Sequence, residues 1–355
     1  TQGVLGYLIS TKQGLSPKAL TIAEIFKSSG YRTGLVGKWH LGDQPEFLPH
    51  RQGFDFTYYI NKSNNQTKSV WRGDELVEKP FENRLLSEKF TNEAIGFIKA
   101  NKDRPFLLYL PYTAPHFPVQ PHPEWKGKSD FGPGKREHEY GDVVEELDHR
   151  IGEILTTLET EGLDQNTIVV FLSDNGPQEH QKAQATPYRG YKWEALEGGT
   201  RVPCIIRVPG AIPPGRKSDA LIAAIDLLPS LSHACGIDLQ PLTGTSQVID
   251  GLNVWDTLTG KEEASHPRKD LLYWHGKDGF HAIRVGDWKL FPDREGAEVP
   301  NDAGTGPLLF NLAEEVDELT DLSAKNPEKV QEMQKLAKKR LAEIERHSIP
   351  LGGQP

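Results

Sequence analysis

Apolar residues follow two textures along this chain. The first runs from the start to about residue 262, where helix-spaced apolar stretches alternate with short apolar runs. Leu20, Ile22, Ile25 and Phe26 fall at helical spacing between Pro17 and Ser29, and Gly30 ends the stretch. Tyr31–Val36 then reads as a strand. Residues 43–85 are rich in Pro, Asn and Gly and read as long loops with short strands. Ser87–Ala100 is an amphipathic helix, and Pro105–Pro111 is a strand. Glu137–Glu161 is a long helix with Val143, Val144, Leu147, Ile151, Ile154, Leu155 and Leu158 on one stripe. Thr167–Leu172 is a β-branched, apolar strand, Cys204–Val208 reads as a buried strand, and the stretch near Ala224–Cys235 reads as a helix. Helices alternating with apolar strands predict an α/β fold with a large, mostly parallel sheet covered on both faces.

The second texture begins after residue 262. Asp270–His275, His281–Val285, Trp288–Phe291 and Leu308–Leu312 are short strands separated by Gly and Asp turns. Asn326–Glu345 is a charged amphipathic helix. The pattern predicts an α/β domain over residues 1–262 and a small antiparallel α+β subdomain over 263–355.

Composition narrows the partners. Of 355 residues, 36% are hydrophobic and 26% charged, with a net charge of −9. There is no basic run, which argues against nucleic acid, while a small anion can still be held by a local cationic pocket. No apolar stretch approaches the roughly 18 residues of a membrane helix, and no signal peptide is visible. Cys204 and Cys235 are predicted to be buried free thiols, since neither has histidines at metal-ligand spacing. Asn61-Lys62-Ser63 and Asn65-Gln66-Thr67 fit the glycosylation sequon, a triplet that also arises by chance.

In parallel sheets, ligands bind beyond the carboxyl ends of strands. Three polar clusters stand there: Lys38 and His40, His116, and Asp174 with Asn175. Singly, each has a plain alternative: a surface lysine, a loop histidine between prolines, an ordinary Asp-Asn-Gly turn. Together with Lys192, upstream of the Gly198-Gly199 turn, they point to one site. Asp174 and Asn175 are hard oxygen donors suited to Ca²⁺ or Mg²⁺. Lys38 and Lys192 supply fixed positive charge, and His40 and His116 can move protons near neutral pH. That set fits a tetrahedral oxyanion, sulfate or phosphate.

Five segments carry a resemblance. Gly37-Lys38-Trp39-His40-Leu41-Gly42, Pro115-His116-Phe117-Pro118, Ser173-Asp174-Asn175-Gly176, Arg189-Gly190-Tyr191-Lys192 with Glu197-Gly198-Gly199-Thr200-Arg201-Val202-Pro203, and Ala282-Ile283-Arg284 with Asp287-Trp288-Lys289-Leu290 occur in one order along almost the whole chain. They resemble the type I sulfatases of the alkaline-phosphatase-like superfamily. The wording around Phe47–Asp55 and Ser63 is most similar to the arylsulfatase A and galactosamine-6-sulfatase branch. The resemblance implies an alkaline-phosphatase-like sandwich and hydrolysis of a sulfate ester on a carbohydrate or aryl group. It implies sulfate binding by Lys38 and Lys192, with Ser63 as a weaker contact. His40 would support the nucleophile, His116 would act as acid and substrate contact, and Asp174 and Asn175 would bind Ca²⁺ or Mg²⁺. It also implies a periplasmic or secreted location.

The sequence departs from that family at one place. Members carry an N-terminal strand ending in paired metal-binding aspartates, then a Cys/Ser-x-Pro-x-Arg motif whose first residue becomes formylglycine, the nucleophile. This sequence has no Asp-Asp pair and no such motif. The expectation is a sulfatase body whose N-terminal segment was lost or cleaved, with a partner covering the place it leaves, or a non-catalytic binder of sulfated glycan. A phosphodiesterase or phosphonate hydrolase on the same scaffold is the other alternative.

Overall fold

A computed structural model describes residues 12–353 apart from 182, 241–247, 262–266, 276–278, 295–296, 298 and 300–303. The 262/263 boundary therefore lies outside the described residues. By internal contacts the chain forms two compact units, one built mainly from residues 2–167 and the other from 168–235 and 246–348.

In the first unit, α1 (Ile22–Ser28) starts later than its apolar pattern predicts. Thr21 caps it: the Glu24 amide donates to Thr21 Oγ1 at 3.1 Å, and the Thr21 amide donates to Glu24 Oε2 at 2.8 Å. A five-stranded sheet follows, in the order β4-β3-β2-β1-β5. Its strands are β1 (Arg32–Lys38), β2 (Phe56–Ile60), β3 (Val70–Arg72), β4 (Glu75–Glu78) and β5 (Phe106–Tyr109). β1 is parallel to both neighbours, while β2, β3 and β4 run antiparallel. Successive side chains point to opposite faces. Leu35 and Tyr59 join Ala23 of α1 on one face, whereas Val36 and Tyr58 join Phe90 of α2 (Leu86–Ala100) on the other. Gly34 makes room for Phe97, whose ring would lie 2.8 Å from a Cβ there.

The long helix α3 (Lys135–Thr160) forms as predicted, but its stripe is not uniformly covered. Val143 and Leu158 are buried, while Val144 and Leu155 are exposed. Asp142, on the same helix, is buried and accepts from the amides of Gly127, Lys128 and Ser129 at 2.7, 2.9 and 2.8 Å.

In the second unit, β6 (Val169–Leu172) and β7 (Cys204–Arg207) form a two-stranded antiparallel sheet. The prediction that the Cys204 run is a buried strand is corrected. Ile205 is 65% exposed and Cys204 is exposed, because among the described residues β7 pairs only with β6. Cys235 is half-buried at the end of α5 (Leu227–Ala234), which follows α4 (Glu197–Thr200) in the helix order. A further short helix, α6, covers Trp255–Thr259.

β8 (Asp270–His275), β9 (Gly279–Val285), β10 (Trp288–Phe291) and β11 (Leu308–Asn311) form a fully antiparallel sheet. On one face Ile283, Leu290 and Leu309 pack against Val330, Met333 and Ala337 of α7 (Pro327–His347). On the other, Tyr273, Phe291 and Phe310 pack against Ala195 and Leu196, just beyond Lys192. Among the described residues, no helix is long and apolar enough to cross a membrane.

Candidate active site

In the first unit, Lys38 is the last residue of β1 and is half-buried. Its amide donates to Pro111 O at 2.8 Å, so the exits of β1 and β5 lie side by side. Gly37 allows that approach: it has φ of 135°, and a Cβ would stand 2.2 Å from Pro111 O. Trp39 locks the next step. It is buried, and its Nε1 donates to Phe47 O at 2.9 Å. His40 follows in the left-handed region with φ of 60°.

His116 lies in the loop after β5, where its amide donates to Thr113 O at 2.7 Å. Its Nδ1 stands 3.0 Å from Asn64 Oδ1 and 2.7 Å from Phe117 O. Asn64 is buried, and its Nδ2 donates to Asn83 Oδ1 at 2.6 Å, which fixes its oxygen toward the histidine. Two acceptors facing Nδ1 assign the ring hydrogen to that nitrogen. Ser63 is buried immediately before Asn64. Asn64 is the residue that sequence reasoning missed here. Its only local signal is its place beside Ser63.

In the second unit, the Ser173–Pro177 turn, the Arg189–Lys192 loop and α4 stack backbone on backbone. Gly176 N donates to Gly199 O at 2.9 Å, Gly198 N to Arg189 O at 2.7 Å, and Lys192 N to Pro177 O at 2.7 Å. A Cβ on Gly176, Gly198 or Gly199 would fall within 2.4 Å of a neighbouring carbonyl oxygen. The glycines thus bring Lys192 close enough to Asp174 for their charges to interact. Burial pushes the Lys192 ammonium below its ordinary value, and the Asp174 carboxylate offsets part of that shift.

A buried ionic network braces this loop from behind. Glu197 is buried and meets Lys289 Nζ at 2.9 Å and Arg284 at 3.4 Å. Lys289, fully buried, also meets Glu318 at 3.0 Å, and the Glu197 amide donates to Glu318 Oε2 at 2.7 Å. Arg189 Nε donates to Asp317 O at 2.9 Å. Burial alone would raise the Glu197 carboxyl, but Lys289, Arg284 and Arg201 hold it below its ordinary value.

Asp174 is exposed and Asn175 half-buried. They offer two hard oxygens, whereas Ca²⁺ takes about six to eight. Among the described residues, no group of three or more His, Cys, Asp or Glu side chains is placed to hold a metal ion. These residues do not by themselves make a complete shell for Ca²⁺ or Mg²⁺.

Residues 3–237 match the family profile described as Sulfatase. The chain belongs to the sulfatase family. It is 32% identical over 308 residues to an arylsulfatase of Hemicentrotus pulcherrimus, covering 80% of this chain and 53% of that protein. It is 30% identical over 403 residues to an N-acetylgalactosamine-6-O-sulfatase of Bacteroides thetaiotaomicron, covering 89% and 76%. It is 32% identical over 300 residues to the N-acetylgalactosamine-6-sulfatase of Canis lupus familiaris, covering 78% and 55%. The chain thus spans about half the length of the first and third of these sulfatases.

A solved structure from work on glycosaminoglycan metabolism by Bacteroides thetaiotaomicron has a TM-score of 0.80 at 26% identity, covering 93% of this chain and 84% of that one. A Pseudoalteromonas sulfatase, at 23% identity, shares the fold with a TM-score of 0.83, covering 98% and 78%. The sulfatase fold, alkaline-phosphatase-like with a C-terminal antiparallel sheet, agrees with the architecture predicted from the sequence.

Proposed function

We propose that this chain is the body of a sulfuric ester hydrolase acting on a sulfated carbohydrate. The observation that carries this reading is the sulfatase match over residues 3–237, which spans every candidate side chain from Lys38 to Lys192. The similar proteins are named for arylsulfate and for N-acetylgalactosamine 6-sulfate, and the sugar ester is the substrate class proposed here.

In this reading Lys38 and Lys192 are sulfate-binding cations. Their charge stabilises the anion as it develops in the transition state. His116 keeps its Nδ1 hydrogen directed at Asn64 Oδ1 and Phe117 O, and in its imidazolium form it gives a second proton, from Nε2, to the leaving alcohol. His40 supports the nucleophile, and Ser63 is a lesser contact near the sulfate. Asp174 and Asn175 are two donors toward a hard cation, Ca²⁺ or Mg²⁺. No residue is assigned as nucleophile, because the sequence has no Cys/Ser-x-Pro-x-Arg motif from which formylglycine could form. A periplasmic or secreted location, and a partner that covers the sheet, belong to the same proposal.

A second reading keeps the sulfate-binding residues without turnover, as a non-catalytic binder of sulfated glycan. The test is turnover of N-acetylgalactosamine 6-sulfate and of nitrophenyl phosphate, with and without a supplied N-terminal segment carrying the motif. Desulfation only in the supplemented protein supports the enzyme. Binding of sugar sulfate without turnover in either form supports the binder. Faster turnover of the phosphate ester refutes the sulfatase assignment.

A further inference from the structure

Immediately after Lys192, the chain places a tryptophan where glycine would be the ordinary choice. Tyr191 to Glu194 form a turn, with Glu194 N donating to Tyr191 O at 3.0 Å and Tyr191 N donating to Glu194 Oε2 at 3.1 Å. Trp193 is the third residue of that turn and has φ of 82°. Positive φ at this position suits glycine or asparagine and is strained for a bulky side chain. Such strain persists only where the surrounding structure imposes it, and it concentrates at functional sites. Here the hydrogen bond from Lys192 N to Pro177 O and the glycine-stacked backbone hold the turn.

The strained residue does not fill a core. Trp193 is 42% exposed, and Lys192 Nζ lies 5.2 Å from its ring centroid. An oxyanion oxygen sits about 2.8 Å from an ammonium that binds it. The esterified carbon is only one sulfur and one ester oxygen further on, and in a 6-sulfate the ring begins one bond beyond it. A sulfate ester held by Lys192 therefore brings its sugar ring within reach of the indole. Pyranose rings present a face of C–H groups, and indole is a large, rigid surface with an apolar face and one polar edge.

We infer that Trp193 is a specificity-determining wall on which the pyranose ring of a sulfated sugar stacks while Lys192 holds its sulfate. The inference rests on the sulfate-ester reading above and adds the residue that recognises the sugar. It separates two sources of affinity: Lys192 binds any sulfate, whereas Trp193 rewards only a sulfate carried on a ring.

The experiment is calorimetric titration of the full 355-residue chain with inorganic sulfate and with N-acetylgalactosamine 6-sulfate, using Trp193→Gly and Trp193→Phe. Glycine accepts φ of 82° without strain, so the first variant removes the indole while suiting the backbone. Phenylalanine keeps an aromatic face. The sugar sulfate is expected to bind about 2- to 10-fold more weakly to Trp193→Gly, the worth of one aromatic contact. Inorganic sulfate should bind both variants as it binds the unsubstituted chain, and Trp193→Phe should recover most of the sugar affinity. Equal weakening of both ligands would overturn the inference, since Trp193 would then only position Lys192. So would unchanged sugar affinity in Trp193→Gly. If the unsubstituted chain binds neither ligand, the sulfate reading itself fails and takes the inference with it.

Discussion

Lys289→Met is a sharp test of how the Lys192 loop is held. Methionine matches the lysine stem in length, so little cavity is created, but the charge between Glu197 and Glu318 is lost. Lys289 stands 2.9 Å from one carboxylate and 3.0 Å from the other, and all three side chains are buried. Removing one member of a buried, hydrogen-bonded set costs about 3–5 kcal/mol, because the remaining charges stay desolvated. The sign of the pH dependence also follows. In the unsubstituted protein the Glu197 carboxyl lies below its ordinary value of 4.5, despite its burial, because of Lys289 and the arginines. Its contribution to stability is present above 4.5 and is lost as pH falls through the depressed folded value.

Glu318 works in the opposite sense. Burial above all raises its carboxyl, so it costs stability above 4.5. Without Lys289, burial dominates both carboxyls, and protonation relieves the variant. The deficit should be largest near pH 7 and shrink as pH falls toward 4.5. Hydrogen exchange at the amides of β9 and β10, measured at several pH values, reads the second unit directly. A deficit under about 1 kcal/mol at pH 7, against the magnitude for buried pairs, would refute the reasoning. A deficit that grows on acidification would refute it too.

Three further outcomes are expected. Gly37→Ala forces a Cβ to 2.2 Å from Pro111 O at φ of 135°, so it should cost about 1–3 kcal/mol in urea unfolding and weaken sulfate binding through Lys38. His116→Ala, in protein supplemented with the motif-bearing segment, should lose about 10²–10⁴-fold in kcat on a sugar sulfate but far less on nitrophenyl sulfate. Equal losses would make His116 a binding group only. Calcium titrated into the 355-residue chain should bind with Kd above about 1 mM, and Asp174→Ala should abolish what remains. Micromolar binding would reveal donors beyond Asp174 and Asn175.

Local chemistry made much of this architecture legible. β1 and β5 announced themselves as short apolar runs, and polar residues at their exits marked Lys38, His40 and His116. Burial was less legible. Cys204-Ile205-Ile206 has the composition of a core strand, yet an apolar run cannot reveal whether anything covers it, and Ile205 is exposed. Partners distant in sequence were the least legible. Glu197 meets Lys289 and Glu318 across long intervals of chain, and each looks locally like an ordinary surface charge. Asn64 was missed for the same reason, since its role depends on His116 and Asn83 arriving beside it.

The parallel placement of β1 between β2 and β5 sets a timetable for synthesis. Phe56–Ile60 follows β1 closely, but the partner on its other side, beginning with Phe106 opposite Arg32, comes much later. A ribosome adding about 5–20 residues per second would leave that edge of β1 unpaired for several seconds after the strand itself is made. During that interval the residues that pair with β5, Arg32 to Leu35, lack their partner on that side. The strand that carries Lys38 is thus secured on its β5 side well after it is translated, a window in which chaperone capture would most affect yield.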